Sequence, residues 1–349
     1  MELQPMSHVT PIVDSHLDLA DNAVLVGRDL TITAVETRAL EKRKAKQAMV
    51  SLPDLERGGV AVVCATITAG LMSSDKGPRK PEQAEAQALG QIDLYEGWQS
   101  DGRVRLIKSA ADLDHHLELW QRDRKPGLVI LMEGAEPIIE AGDLPKWWNR
   151  GVRMIGLTWD DTKYGTGVGG GNEEIKRGGL TLDGFALLDG MGELGFIWDI
   201  AHLAEDGVWE GLEAGVARVC ASHANARAFS PTDRHLSDDV IRAISERGGM
   251  IGIVLSSNFL DPGAKGRPEP VTLAQVRRHA EHMAGIGGWG IVGIGSDLDG
   301  GFGLEESPVE LESIADLRKI GDVMPPEARD GVLGGNWLRF LRASLPKSA

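Results

Sequence analysis

Asp14, His16 and Asp18 stand at alternate positions in IVDSHLDLADN, residues 12–22, just after a short apolar run. In an extended strand, alternate side chains point to one face, so a histidine and two carboxylates would converge on a small volume. On a helix, residues two apart do not face each other. Residues of the same kind close other apolar runs. Glu133 ends LVILME, His202 ends IWDIAH, His223 ends RVCASH and Asp297 ends VGIGSD. Gathering these four with His16 and Asp18 in a protein interior without a counter-ion is costly. One or two divalent cations would supply the counter-charge. Imidazole and carboxylate donors without thiolate suit zinc, and also manganese or iron.

The elements that would position these residues are legible as apolar runs between longer segments of mixed polarity. Eight read as strands: 8–16, 59–70, 127–134, 151–159, 195–202, 217–223, 249–256 and 290–297. They are nearly continuous rather than alternating, as expected for parallel strands covered on both faces. Helical segments lie between them. SDDVIRAISERGG offers Ser237 as N-cap and Gly248 as a stop. TLAQVRRHAEHMAGIGG pairs Thr272 with Gln275 in a capping box. Eight strands alternating with helices predict an α/β fold, a (β/α)₈ barrel in a single domain over residues 1–349, rather than an open doubly wound sheet. In a barrel every one of those polar strand ends opens onto the C-terminal face, where such enzymes assemble their active sites. The polar stretch 28–58, with EKRKAK inside it, reads as a solvated helical excursion after the first strand.

The remaining histidines are expected elsewhere. His115, His116, His279 and His282 fall in helical segments and read as solvent-facing or helix-packing residues. His8 lies near the terminus, and His235, in the polar loop TDRHLSDD, is expected at the surface. GTGVGG at 165–170 matches the G-x-G-x-x-G dinucleotide fingerprint, but GNEEIKRGG follows it with no apolar helical face. It is expected to be a flexible loop over the site, not a nucleotide cradle.

Composition narrows the partners. With 37 Lys and Arg against 52 Asp and Glu, the formal charge is 37 − 52 = −15, which argues against nucleic acid and anionic membranes. No apolar stretch approaches the ~20 residues that span a bilayer. MELQPMSHVTP shows no basic-then-apolar signal, and FLRASLPKSA, short and charged, is no lipid-anchor tail. Cys64 and Cys220 sit in apolar runs and read as buried reduced thiols. A cytoplasmic enzyme is the expectation.

The ordered motifs resemble the membrane (renal) dipeptidases, the M19 peptidases. DSHLD is similar to the family's D-G-H-N-D, LMEGAEPI to its V-E-G-G segment and DIAHL to D-L-A-H-V. SHANARA resembles S-H-S-S-A, RHLSDDV resembles R-N-V-P-D-D-V and GIGSDLDG resembles G-G-D-F-D-G. The resemblance implies a TIM barrel of the metal-dependent hydrolase type holding two Zn²⁺ ions, or other divalent metals. His16 and Asp18 would bind the first ion, His202 and His223 the second, and Glu133 would bridge them. Asp14 would then orient His16 from behind. Asp297 would orient the nucleophile and pass a proton to the leaving amine, with Asp299 an alternative from sequence. Arg234 would hold a substrate carboxylate, whereas without the family it reads as a surface arginine pairing with Asp238 or Asp239. The implied reaction is hydrolysis of the amide bond of a dipeptide, and the resemblance also implies a homodimer in the family's manner. The alternatives are an amidohydrolase acting on N-acyl amino acids or lactones, and a catalytically silent barrel that binds a small ligand. Two positions depart from the pattern. Leu17 replaces an asparagine, and LTWDD places Trp159 where family dipeptidases carry a histidine thought to contact the reacting carbonyl.

Overall fold

Strand β4, Gly127–Glu133, shows how the barrel is built. All seven of its residues are buried, and they divide by parity. Leu128, Ile130 and Met132 belong to the outer cluster that also holds the helix residues Leu187, Val208 and Ile241. Val129 and Leu131 pack with Cys64, Met154, Ile197 and Cys220 from four other strands, which defines the interior. A strand covered on both faces must be apolar throughout, and this one is, until Glu133.

The computed structural model describes residues 9–70, 78, 80–172, 174–264 and 269–348, so His8 lies outside it. The other strands are β1 Ile12–Leu17, β2 Val60–Thr68, β3 Arg105–Leu106, β5 Val152–Gly156, β6 Ile197–Asp199, β7 Val219–Ala221, β8 Met250–Ile253 and β9 Val292–Ile294. All pairings between them are parallel. Eight strands run in the order β2-β1-β9-β8-β7-β6-β5-β4, and the β2–β4 ladder from Val62↔Gly127 to Thr68↔Glu133 closes the ring. The chain is a (β/α)₈ barrel, as the eight apolar runs predict. The two-residue β3 is an addition that pairs only with the start of β4. Trp337 and Leu341, from the helix Asn336–Ser344, join the interior cluster. Cys64 and Cys220 are free, buried thiols within it. No helix among the described residues is long and apolar enough to cross a membrane.

Several local expectations hold. Ser237 accepts the Val240 N–H at the start of the helix Asp238–Glu246, and Gly248 follows with φ +66°. Thr272 and Gln275 form the capping box of the helix Leu273–Gly287. The excursion after β1 is less solvated than its composition suggests. It does contain two helices, Ala34–Glu41 and Leu52–Gly58, but Ala48, Met49 and Val50 between them are buried. The Met49 and Val50 N–H groups donate to Asp299 at 2.9–3.0 Å, and the buried Arg28 pairs with the same carboxylate at 3.3 Å.

Candidate metal centre

Every polar residue that closes an apolar run lies at the C-terminal rim, though not all in the same way. His16 is inside β1, before its last residue, and Asp18 follows the strand. Glu133 continues the inward parity of Val129 and Leu131 and is the last residue of β4. Strands β6, β7 and β9 are only three residues long, so His202, His223 and Asp297 stand in the turns beyond them. His202 and Asp297 have φ of +66° and +56°. Few residues other than glycine hold that conformation, and its occurrence here is typical of functional sites.

The side chains converge on one carboxylate oxygen. Glu133 Oε1 lies 3.1 Å from His202 Nε2, 3.5 Å from His16 Nε2 and 3.7 Å from His223 Nε2. On the far side of His16, the same Nε2 is 3.7 Å from Asp18 Oδ1 and 3.9 Å from Asp297 Oδ1. Asp18 is held by Thr66, whose hydroxyl donates to its Oδ1 at 2.5 Å. Two groups, His16–Glu133–His223 and His16–Asp18–Asp297, have donor atoms close enough to share an ion.

The electrostatics of this cluster suit cation binding. Burial holds His16, His202 and His223 well below the ordinary histidine pKa, so all three are neutral. Burial also pushes Glu133 up to about 8, against the pull of Arg234. It drives Asp18 and Asp297 well above the carboxylate range; the Glu133 charge adds to the rise of both, and Asp18 adds to that of Asp297. His16 Nε2, fully buried, has no hydrogen-bond partner among the described residues. His202 Nδ1 donates to the Gly169 carbonyl at 2.8 Å, so its Nε2 is a lone pair. That lone pair lies 2.9 Å from His223 Nε2. Neutral imidazole nitrogens crowded around carboxylates are the donor set that divalent ions satisfy, and the residues fit a metal centre.

Other placements correct the sequence reading. Asp14 does not touch the His16 ring. It accepts the backbone N–H groups of His16 (3.2 Å) and Ser296 (2.8 Å) and bonds the Ser296 hydroxyl, which pins β1 to the turn after β9. A register shift between Asp14 and Leu17 breaks the simple alternation. Ser222 faces the ring of His16 instead. Asp299 is turned away, committed to Arg28 and the Met49–Val50 backbone, so Asp297 alone of the two faces His16. His235 is buried, not at the surface. Its Nδ1 accepts the Asn225 N–H, and its ring meets Phe259 edge-on. The polar loop folds inward because its backbone pairs with itself, Leu236 N–H to Asn225 and Arg227 N–H to Leu236.

Arg234 is buried at the centre rather than at a helix start. Its Nη2 donates to the His223 carbonyl at 2.8 Å and approaches His202 Nε2 at 3.3 Å. Asp238 and Asp239 take His282 and Arg242 instead. Trp159 is 44% exposed, with its indole beside His202. The GTGVGG segment crosses the rim, but as a strap tied by hydrogen bonds rather than a slack loop. Val168 N–H donates to the His202 carbonyl, and Gly169 N–H to that of Trp159. Gly167 in this segment and Gly171 just after it serve close approach: a Cβ on Gly167 would lie 2.3 Å from Asp160 O, and one on Gly171 2.6 Å from Arg234 Cβ. The remaining histidines stay outside the centre. His115 is exposed and His282 pairs with Asp238. His116 and His279 pack in the interior against backbone carbonyls.

A closed parallel barrel with imidazoles and carboxylates converging at its C-terminal rim defines a metal-dependent hydrolase of the TIM-barrel type. The pattern of the membrane dipeptidase family (peptidase family M19) matches residues 1–346, and the chain belongs to that family. It is thereby an enzyme of the metal-dependent dipeptidase class. A Klebsiella pneumoniae protein encoded in the pqqA 5′ region is 33% identical over 70% of this chain and 90% of its own length. An uncharacterized dipeptidase of Schizosaccharomyces pombe is 25% identical over 65% of this chain and 55% of its own. Among solved structures, the family M19 metallopeptidase called dipeptidase AC superposes with a TM-score of 0.80 at 25% identity, covering 97% of this chain and 99% of its own. A metallopeptidase from Rhodobacter sphaeroides, liganded with a phosphinate mimic of the dipeptide L-Ala-D-Ala, gives 0.79 at 24% over 97% and 100%.

Proposed function

We propose that this barrel holds two divalent ions, zinc by the chemistry of its donors, and hydrolyses the amide bond of dipeptides. The observation that carries the reading is the convergence of three neutral imidazoles on Glu133 Oε1, with Asp18 and Asp297 beside His16. His16 and Asp18 would hold one ion, His202 and His223 the other, and Glu133 would contact both. When bound, such ions lower the pKa of water and polarise a carbonyl.

The protein's own groups do the rest. Asp297 faces the centre and is free of the backbone bonds that occupy Asp299, so it is the acid placed to carry a proton to the leaving amine. Arg234 spends only Nη2 on protein acceptors, and its buried Nε has no partner among the described residues. The remaining guanidinium hydrogens suit a substrate carboxylate. A clamp at a fixed distance from the scissile bond selects substrates whose C-terminus is one residue away. Trp159 borders the same space, and N-acyl amino acids, which share the carboxylate, are the second substrate class to test. One domain spanning the chain, a cytoplasmic setting for the two reduced thiols and a homodimer in the family's manner complete the proposal.

The test is hydrolysis of an L-X-L/D-X dipeptide library, beside N-acyl amino acids and lactones, by zinc-reconstituted protein. Dipeptide cleavage abolished by chelation and restored by zinc is the expected result. Cleavage confined to lactones, or none in any class at full metal loading, would overturn it.

A further inference from the structure

Glu136, in the turn after β4, folds its carboxylate back over the rim. A Cβ built on Gly134 would lie 2.4 Å from its Oε2, and one on Gly70 3.8 Å from its Oε1. Strands β2 and β4 end side by side, Thr68 opposite Glu133. In β2, Val62 and Cys64 join the interior cluster and Thr66 reaches Asp18, so the even-numbered positions face inward. Gly70 continues that parity just past the strand, which puts Glu136 Oε1 on the inner side of the rim. The residue is partly exposed, and its buried Oε2 has no hydrogen-bond partner among the described residues. Burial pushes the carboxyl up to about 7, and the charges that add to the rise, Glu133 and Asp160, are both negative. What this group lacks is a cation.

The order of strands says where such a cation would come from. In the closed ring β2-β1-β9-β8-β7-β6-β5-β4, the ends of β2 and β4 lie across the barrel from those of β7 and β8. Arg234 follows β7 and reaches the centre from that far side, its Nη2 on the His223 carbonyl. A dipeptide whose carboxylate meets Arg234, with its amide over the centre, extends its amino group toward Glu136. That amino group is largely protonated at neutral pH. We propose that Glu136 is a specificity-determining residue that receives the α-ammonium of the substrate and so favours dipeptides over N-acyl amino acids. An acylated amine is neutral and would leave the carboxylate without a counter-charge. The inference rests on the functional proposal above, and it names the residue that separates the two substrate classes.

The experiment measures, by titration calorimetry at neutral pH, the binding of two phosphinate dipeptide mimics to zinc-loaded protein. One mimic has a free amine, and the other has hydrogen in its place. The wild type is expected to bind the amine about 10–100-fold more tightly, the range for a hydrogen bond to a charged group. Glu136→Gln, which keeps the shape and removes the charge, should bring the two mimics to nearly equal affinity. Glu136→Asp, with its charge drawn back by one methylene, should keep only part of the preference. Equal wild-type affinities, or no binding of either mimic, would overturn the inference. So would a Glu136→Gln protein with the full wild-type preference. Should that variant fail to fold, the wild-type ratio and its fall in Glu136→Asp decide. Binding of these mimics involves no turnover. A protein that prefers the amine yet cleaves no dipeptide therefore contradicts the functional proposal alone, and one that cleaves dipeptides without preferring the amine contradicts only this inference.

Discussion

The indole of Trp159 lies against the imidazole of His202, ring centroids 5.6 Å apart and planes tilted by 33°. The family's pattern has a histidine at that position, where it would contact the substrate carbonyl. Loss of such a donor costs ~10²–10³ in turnover. Trp159→His is therefore expected to raise kcat on ordinary dipeptides. A wild type that already turns them over at ordinary enzyme rates, and a slower variant, would contradict this.

Arg234 makes the second prediction. Removing one partner of a buried charge-assisted pair costs ~2–5 kcal/mol. Arg234→Ala should lower kcat/KM on dipeptides accordingly, and Arg234→Lys, without the planar fork, should recover little. A C-terminally amidated dipeptide should be a poor substrate for wild type and nearly indifferent to either change. Equal wild-type rates on acid and amide would remove Arg234 from the substrate site.

Asp297 and Asp299 should separate cleanly. Asp299→Asn weakens a buried pair with Arg28, and breaking such a pair typically costs ~3–5 kcal/mol of stability. Its unfolding midpoint should drop sharply. Asp297→Asn should instead unfold near the wild-type midpoint while losing ~10²–10⁴ in kcat. The reverse pattern in paired denaturation and rate measurements would exchange their roles.

Much of this was readable in advance, for a physical reason. Parallel strands buried on both faces have to be continuous apolar runs, so the eight barrel strands stand out. A polar group closing such a run, like Glu133 after LVILM, is out of place unless it has work to do. Strand length was less readable, because β6, β7 and β9 stop pairing before their apolar runs end. The burial of His235 and of Met49–Val50 depends on backbone hydrogen bonds that composition does not encode. Ser222, which faces the His16 ring, was not legible either. The signal available was a hydroxyl beside His223, and that spacing is not distinctive.

The interior histidines set an acid limit on stability. Burial lowers both His116 and His279 to about 4. His279 Nδ1 accepts the Ala226 N–H and its Nε2 donates to the Leu260 carbonyl, so protonation would break a bond. Between about 4 and the unfolded value of 6.5 the unfolded chain binds more protons. Stability from these two groups is thus complete above pH 6.5, falls as pH is lowered, and is exhausted near 4. By pH 5 the loss is about 2 kcal/mol each. NMR titration should find both rings neutral at pH 5, and titration near 6.5 would refute the argument.

The central claim is tested most directly by counting metal ions in the reconstituted protein. Elemental analysis at saturating zinc should give close to two ions per chain, and Glu133→Ala, which removes the oxygen that all three imidazoles approach, should lose most of that occupancy. One ion or none in the wild type, or two ions retained in Glu133→Ala, would contradict a centre built on Glu133.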